Sequence, residues 1–339
     1  MRAVAVHKTG EAPQLMDLPL PRPEPGEVLV RLAAASLNPI DLGIAAGQFG
    51  AQLPHVYPLV LGVDGAGLVV EAGGAVHGLK PGDSVHGQFL RAPLGHGTFA
   101  EYTVVTQAPD SGALQRVPDG MPASIAAALP TAGMTALGAV DAIGLRAGQS
   151  VLVVGATGGV GVFAVQLAAA RGAEVIATAR PDAQEWIRRL GAARTADYTA
   201  GDVAEQVRAT HPGGIDALLD LTRDQARFSQ YAGLVRDGGA AVSVTFTASE
   251  ELLASQRITV SNFMMRDKPG LLARITAEVA SGAVTVPVQQ EIALEEVPLA
   301  LPRIIAGGAR GKTTVRTDMG SGPNGRDRSS EANVTEAGH

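Results

Sequence analysis

Apolar and polar positions follow different patterns in different parts of the chain. Over residues 1–121, short apolar or alternating runs such as AVAVH and AEYTVV lie between turns rich in proline and glycine, which is typical of β-strands. Over residues 122–283, strand-like runs alternate with segments at helical spacing, which predicts a doubly wound parallel sheet. The pattern therefore predicts an α/β fold in which a mostly-β domain, residues 1–121, is completed by residues 284–317.

The boundary signals around these segments are local. Ser124 precedes a helical pattern and is a predicted N-cap, and Gly144 is predicted to end that pattern. Pro130 and Gly133 lie inside it and predict a break or kink. At the end of the chain, residues 318–339 are rich in Gly, Ser, Asn and Arg, and we expect this tail to be disordered.

A glycine-rich turn dominates the middle of the chain. The apolar run Val151–Val154 predicts a buried parallel strand, and a helical pattern and a second strand, Glu174–Thr178, follow the glycines. A strand–turn–helix–strand unit of this kind is the Rossmann pattern, in which glycines let the backbone approach a diphosphate at a helix N-terminus. The predicted cofactor-binding residues of the turn are Gly155, Thr157, Gly158, Gly159, Val160 and Gly161. The alternative is a glycine-rich turn in a domain that binds no nucleotide.

The end of the second strand favours NADPH over NADH. NAD sites usually place a carboxylate there for the ribose 2′-hydroxyl, and this chain has Ala179 followed by Arg180. A guanidinium can pair with a 2′-phosphate. The alternative is that Arg180 is a solvated loop charge.

Composition narrows the classes of partner. The chain has 339 residues, 46% of them hydrophobic, which is enough for two cores. Its net charge is −6 with no basic block, which disfavours nucleic acid, and no apolar run reaches membrane-spanning length. The N-terminus lacks an apolar signal core, so we expect a cytoplasmic protein with a small-molecule substrate.

Metal-binding signals are weak in this sequence. The absence of cysteine excludes disulfides, thiolate metal ligands and a cysteine nucleophile. The histidines of the N-terminal part show no ligand spacing and are predicted in loops or on the surface; they are His55, His77, His86 and His96.

Eight motifs in a fixed order resemble the zinc-independent quinone oxidoreductases of the medium-chain dehydrogenase/reductase superfamily, the group that includes zeta-crystallin. They are SLNPID (36–41), LGVDGAGLVVEAG (61–73), LKPGDSV (79–85), HGTFAEY (96–102), LPTAGMTAL (129–137), GATGGVG (155–161), LGAARTADY (190–198) and GK (311–312). The resemblance implies a GroES-like catalytic domain around a Rossmann domain. It also implies NADPH-dependent reduction of quinones or enones, and a homodimer or homotetramer.

The resemblance also bears on zinc. Zinc alcohol dehydrogenases of this superfamily place Cys in the region of Ser36–Asn38 and His-Glu at Val63-Asp64, and Asp64 alone is not a tetrahedral site. We therefore expect no metal and a hydride transfer to a quinone or an electron-poor alkene. The alternatives are an enoyl reductase acting on a thioester or biosynthetic intermediate, and a non-catalytic NADPH-binding sensor or structural protein.

The resemblance suggests the remaining site residues. Asn38, Thr135 and Phe49 are the predicted catalytic residues, and Asn38 and Thr135 are also expected beside the nicotinamide. The resemblance also suggests Thr131, Tyr198 and Lys312 as cofactor-binding residues. The ends of two predicted parallel strands add Val244, Thr245, Phe246, Phe263, Met264 and Met265, because ligands bind at the carboxyl ends of such strands.

Each of these residues has a structural alternative. For Asn38 it is an Asx turn, and for Thr135 a hydroxyl that bonds back along its helix. Tyr198 and the residues of 244–246 and 263–265 can instead pack on the sheet. Lys312 can be a solvated turn lysine, while Asp41 is expected to bond local backbone.

Three departures from the family pattern affect the substrate and cofactor sites. Gly43 and Ala45 stand where bacterial quinone reductases often carry a tyrosine and an arginine. Residues 181–185 contain no lysine for the 2′-phosphate. We therefore expect a wider, less polar pocket that takes its final proton from solvent.

Overall fold

The computed structural model describes residues 1–49 and 54–317, so the predicted disordered tail, 318–339, lies outside the described residues. The strands are β1 (Arg2–Val6), β2 (Gln14–Asp17), β3 (Glu27–Ser36), β4 (Leu59–Val60), β5 (Asp64–Ala72), β6 (Ser84–Gln88), β7 (Tyr102–Thr106), β8 (Ala113–Arg116), β9 (Ser150–Val154), β10 (Glu174–Thr178), β11 (Arg194–Ala196), β12 (Ile215–Asp220), β13 (Val235–Ser243), β14 (Thr259–Asn262), β15 (Val288–Ala293) and β16 (Lys312–Arg316). The α-helices are α1 (Pro39–Ala45), α2 (Ala123–Ala128), α3 (Pro130–Ile143), α4 (Gly161–Ala170), α5 (Pro181–Arg189), α6 (Val203–Thr210), α7 (Gln225–Ala232), α8 (Glu250–Leu253), α9 (Lys268–Ala280) and α10 (Val297–Ala300). Two 3₁₀-helices, Leu294–Glu296 and Leu301–Ile305, flank α10.

The second half of the chain builds a six-stranded parallel sheet. Its strand order is β11-β10-β9-β12-β13-β14, which is the 3-2-1-4-5-6 order of a doubly wound fold. Every residue of β9 is buried, because Val151 and Val153 pack into the core on one face of the sheet while Leu152 and Val154 pack into the core on the other. This two-sided burial explains why the strand appears in the sequence as an unbroken apolar run.

The first half of the chain forms antiparallel structure. A seven-stranded sheet has the order β15-β16-β3-β5-β6-β8, with β7 also paired to β3, and a small sheet has the order β2-β1-β4. Strand β16 pairs antiparallel with β3, with Val315 opposite Ala35, so the end of the described chain adds two strands to the sheet formed by its beginning. The predicted combination of a Rossmann-type sheet and a GroES-like domain is confirmed, while the limits at residues 121, 283 and 317 stay predictions.

The helices before β9 show which local signals decide a boundary. The predicted break is present, since α2 ends at Ala128 and α3 begins at Pro130, which has no N–H to donate. Gly144 ends α3 with a φ of 69°, as predicted. The predicted Ser124 cap is wrong, because Pro122 precedes the helix and Ser124 lies inside its first turn.

One histidine prediction is also wrong. His86 is a fully buried residue of β6, not a surface or loop residue. Its Nδ1 lies 3.0 Å from the Ala126 carbonyl oxygen and therefore carries the proton, and its Nε2 lies 3.1 Å from Gln115 Nε2, from which it accepts. Burial lowers the pKa of His86 to about 4, so this ring is a neutral part of the core.

Candidate functional site

A cavity of about 500 Å³ lies between the glycine turn after β9 and the segment that joins β15 to β16. Gly155 and the glycines of 158–161 line one side, and residues 299–313 line much of the other. The carboxyl end of β12 borders it at Leu221. The cavity therefore opens where strand ends meet a helix N-terminus, which is where doubly wound folds bind ligands.

The glycine turn fits a diphosphate. Gly155 leaves β9 with a φ of 79°, and its N–H donates to Thr178 Oγ1 at 3.0 Å. A Cβ atom at Gly161 would lie 2.3 Å from the Gly155 oxygen, so only glycine lets α4 start this close to the strand. A Cβ atom at Gly158 would meet only the Gly155 oxygen, at 3.4 Å, so this position faces open space. The start of α4 at Gly161 lines the cavity, and the first turn of a helix is where backbone N–H groups can bind an anion.

The end of β10 holds more charge than the sequence indicates. Ala179 is fully buried, and Arg180 precedes α5 with 45% of its side chain exposed. Asp182 lies in the first turn of α5, 3.9 Å from Arg180 Nε, and Arg310 bonds the same carboxylate. The strand end itself carries no carboxylate, and the Asp182 carboxylate beyond it lies between two arginines.

Lys312 forms the inner wall of the cavity. It is 4% exposed, and its Nζ donates to the Leu37 carbonyl oxygen at 2.9 Å and to Asn38 Oδ1 at 2.6 Å. A Cβ atom at Gly159 would lie 3.0 Å from Lys312 Cδ, so the lysine stem lies against the glycine turn. The alternative of a solvated turn lysine is wrong. An ammonium has three protons, so one remains for a ligand.

Asn38 is held on both sides of its amide. Its Nδ2 donates to the Ser36 oxygen at 3.1 Å and to Asp64 Oδ2 at 3.0 Å, while its Oδ1 accepts from Lys312. Its backbone N–H donates to Asp41 Oδ2 at 2.7 Å, which is the backbone bond expected of Asp41. The Asn38 side chain lines the cavity with both amide protons already used.

Asp64 is the central acceptor behind this wall. It accepts from the Thr131 hydroxyl at 2.6 Å and from the Thr131 N–H at 3.0 Å, in addition to the bond from Asn38. Burial raises the pKa of Asp64, and the charge of Lys312 and these hydrogen bonds oppose that rise. Burial also raises the pKa of Asp41 well above its usual range, whereas burial lowers the pKa of Lys312.

The Thr135 hydroxyl bonds back along its own helix, which is the structural role given above as the alternative to catalysis. Its hydroxyl donates to the Thr131 carbonyl oxygen at 2.6 Å, one turn back along α3. The hydroxyl can still accept a hydrogen bond, because this contact uses only its proton. A catalytic role for Thr135 stays a prediction.

The carboxyl ends of β13 and β14 carry the predicted nicotinamide-side residues. The Val244 N–H donates to the Asp220 oxygen at 3.1 Å, and the Thr245 hydroxyl donates to the Thr222 oxygen. Phe246 has a φ of 62° and a 58% exposed side chain, so it is not sheet core. Sparsely populated backbone of this kind persists where surrounding structure holds it, and functional sites collect such residues.

The residues of 263–265 differ from one another. The Phe263 ring packs on α3, since a Cβ atom at Gly138 would lie 2.5 Å from its Cζ, and its N–H donates to the Ser243 oxygen at 2.8 Å. Met265 packs partly buried on the same core, while Met264 is 61% exposed. Sheet-side packing therefore holds for Phe263 and Met265 but not for Met264.

Phe49 and Tyr198 are not among the described residues that line the cavity. The Phe49 ring is half-buried, and its edge would lie 3.0 Å from a Cβ atom at Gly43. Tyr198 is 50% exposed beyond β11, so it does not pack on the sheet. Their assigned roles stay predictions.

The wall from 289 to 309 was missed by sequence reasoning. Leu299 and Ile304 give it an apolar surface, and Glu296, Arg303 and the glycines at 307 and 308 complete it. Pro298, Pro302 and the glycines gave this segment no clear helical pattern, so no signal marked it as a cavity wall.

Within residues 1–49 and 54–317, no group of three carboxylate or histidine side chains lies close enough to hold a metal ion, and no helix is both long and apolar enough to cross a membrane.

Comparisons with known proteins agree with this architecture. The family model described as alcohol dehydrogenase GroES-like domain matches residues 24–119, and the one described as zinc-binding dehydrogenase matches residues 159–272. The mitochondrial NAD(P)H oxidoreductase RTN4IP1 of Homo sapiens is 30% identical over 86% of this chain and 82% of its own length. The chloroplast envelope quinone oxidoreductase homolog of Arabidopsis thaliana is 31% identical over 88% of this chain and 92% of its own length.

A solved structure extends the match to the whole fold. The quinone oxidoreductase from Coxiella burnetii superposes with a TM-score of 0.83 at 26% identity, covering 94% of this chain and 99% of its own. The cavity, the strand order and the relatives agree on a nucleotide-dependent oxidoreductase. The chain belongs to the quinone oxidoreductase family of the medium-chain dehydrogenase/reductase superfamily.

Proposed function

We propose that this protein is an NADPH-dependent reductase of quinones or of alkenes conjugated to a carbonyl group, working without a metal ion. The observation that carries the proposal is the cavity itself, which joins the glycine turn to a buried lysine, Lys312, and to an apolar wall. An enzyme of the family needs those features to hold a dinucleotide beside an electron-poor substrate. Turnover of NADPH with a panel of such acceptors tests the proposal.

The chain's contribution is to bind, orient and exclude water. The turn around Gly158 and the first turn of α4 would hold the diphosphate, and the free proton of Lys312 would bond a phosphate or ribose oxygen. The cofactor supplies a hydride when it is bound. The chain would then place an electron-poor carbon against it, and hydrogen bonds to the developing oxyanion lower the barrier.

The substrate side supports an apolar acceptor. Leu37, Pro39, Leu299 and Ile304 contribute apolar surface to the cavity. Gly43 and Ala45 bring no hydroxyl or guanidinium to α1, so we propose that the final proton comes from water. The same apolar surface would accept an acyl chain, so an enoyl reductase is the second candidate.

Two arginines support NADPH rather than NADH. Arg180 and Arg310 flank Asp182 at the end of β10, where the ribose 2′-position of a bound dinucleotide would lie. A phosphate that displaces Asp182 from the arginines would gain two charge-assisted bonds.

The homodimer or homotetramer and the cytoplasmic location are further parts of the proposal.

Removing either arginine is expected to weaken NADPH binding and to leave NADH binding nearly unchanged. The cost of one charge-assisted hydrogen bond is about 1.5–3 kcal/mol, which corresponds to a roughly 10- to 150-fold higher Kd. Fluorescence titration of Arg180→Ala and Arg310→Ala with both cofactors measures it. Arg189→Ala at the other end of α5, which pairs with Glu185, is the matched control. Equal losses for NADPH and NADH would refute the 2′-phosphate role.

A further inference from the structure

A continuous line of hydrogen bonds runs behind the cavity wall and ends in an ammonium group at each end. We call it the buried chain, and its members in order are Lys312, Asn38, Asp64, Thr131, Gln88 and Lys268. The first half carries Lys312 Nζ to Asn38 Oδ1 at 2.6 Å, Asn38 Nδ2 to Asp64 Oδ2 at 3.0 Å, and Thr131 Oγ1 to Asp64 Oδ1 at 2.6 Å. The second half carries Gln88 Nε2 to Thr131 Oγ1 at 2.7 Å and Lys268 Nζ to Gln88 Oε1 at 2.7 Å.

The two lysines at the ends of the buried chain determine the direction of every hydrogen bond within it. An ammonium can only donate and an ionised carboxylate can only accept. Lys312 therefore holds the Asn38 amide with its oxygen toward the Lys312 ammonium. Lys268 likewise holds the Gln88 amide with its oxygen toward the Lys268 ammonium. The Thr131 hydroxyl accepts from Gln88 and must donate to Asp64. One arrangement of protons satisfies all six residues. Removing the lysine at one end therefore frees the neighbouring amide and hydroxyl groups to take other orientations.

The buried chain crosses between the antiparallel part of the fold and the part built on the parallel sheet. Asn38, Asp64, Gln88 and Lys312 belong to the antiparallel part, whereas Thr131 lies at the start of α3 and Lys268 at the start of α9. Lys268 also donates to the Ser111 carbonyl oxygen, so it bonds the antiparallel part twice. Lys312 lines the cavity, while Lys268 is not among its lining residues in the described part of the chain.

The buried chain holds one carboxylate between its two ammonium groups, and burial lowers the pKa of both lysines. Asp64 lies between the two ammonium groups, and burial favours the protonated form of Asp41, the other carboxyl group near Lys312. Lys312 Nζ is held by the Leu37 oxygen and by Asn38 Oδ1. The Asn38 amide is held in turn by Asp64, which Thr131 and Gln88 orient.

We propose that Lys268 is a positioning residue of the cofactor site, which acts through Gln88, Thr131 and Asp64 on Asn38 and Lys312. The inference rests on the proposed binding of a nicotinamide dinucleotide in this cavity. Loss of Lys268 leaves the Gln88 amide free to turn, Thr131 loses its donor, and Asp64 no longer holds Asn38 and Lys312 in one place. Cofactor binding must then also order Asn38 and Lys312, which weakens the affinity.

A double-mutant cycle tests the proposal, with NADPH binding measured by fluorescence titration. Lys268→Met is expected to raise the Kd for NADPH about 2- to 30-fold, the range seen for coupled residues that touch no ligand. Lys312→Met is expected to raise it about 10- to 150-fold. The double variant should match Lys312→Met alone, because both act on the same group. Lys8→Met, at a lysine whose side chain is 75% exposed, is the control and should bind like wild type.

Two further variants separate positioning from folding. Gln88→Glu still accepts from Lys268 but no longer donates to Thr131, so it breaks one link without opening a cavity, and it should weaken NADPH binding as Lys268→Met does. Lys268→Arg keeps a cationic donor and should bind more tightly than Lys268→Met. If Lys268→Met does not fold, Gln88→Glu decides.

The outcomes distinguish this inference from the proposed function. Wild-type affinity in Lys268→Met or Gln88→Glu, or effects of Lys268→Met and Lys312→Met that multiply in the double variant, would overturn the positioning role alone. A wild-type protein that binds neither NADPH nor NADH would overturn both.

Discussion

The Gly158→Asp variant is expected to lose measurable binding of both NADPH and NADH while keeping its fold. A Cβ atom at this position meets only the Gly155 oxygen, at 3.4 Å, so the substitution brings no clash with the protein. The new carboxylate faces the place where the diphosphate would lie. Two like charges about 4 Å apart repel by about 4 kcal/mol at an effective dielectric constant of 20, which is roughly a thousandfold in Kd.

Fluorescence titration gives the affinity, and thermal unfolding shows whether the fold is kept. Gly158→Ala separates size from charge and should bind more tightly than Gly158→Asp. Gly213→Asp is the matched control, because a Cβ atom there has no neighbour within 4 Å and the residue lies in a loop after α6. Unchanged affinity in Gly158→Asp would show that the diphosphate does not bind at the glycine turn.

Replacing Asp64 with alanine is expected to produce the largest loss of stability. The change takes the acceptor away from the Asn38 amide and from the Thr131 hydroxyl and N–H, and it leaves the buried Lys312 ammonium without its main opposite charge. Leaving a buried charge without the opposite charge that compensates it costs about 3–5 kcal/mol. Urea denaturation at neutral pH should show this decrease in the free energy of unfolding.

The control for this variant is Asp237→Ala, whose side chain is 86% exposed and whose pairing with Arg257 lies at the surface. Exposed pairs contribute about 0–1 kcal/mol, so Asp237→Ala should unfold nearly as wild type does. If Asp64→Ala is as stable as this control, Asp64 is not the central acceptor that its hydrogen bonds indicate.

The parts of the fold that the sequence predicted depend on short-range signals. The glycine turn, the two-sided burial of β9 and the break before Pro130 each follow from residues that are neighbours along the chain. Strand alternation then limits the topology to a few choices, and the parallel order is one of them. The eight ordered motifs led to the family.

The parts that the sequence missed depend on contacts between distant residues. Lys312 is buried because it reaches the carbonyl oxygen of Leu37, 275 residues away. Arg310 reaches Asp182 across 128 residues. His86 lies in the core because the helix after it offers the Ala126 carbonyl oxygen. No local pattern encodes such pairings, so Gln88 and Lys268 carried no functional signal in the sequence, and Asp64 was weighed only as a metal ligand.

The most direct test of the central claim is the oxidation of NADPH and NADH, in the presence of a chelator, against a panel of quinones, enones and enoyl thioesters. The proposed function predicts turnover with NADPH on at least one member, slower turnover with NADH at low cofactor concentration, and no effect of the chelator. Tight NADPH binding without turnover on the whole panel, or activity that the chelator abolishes, would contradict a metal-free NADPH-dependent reductase.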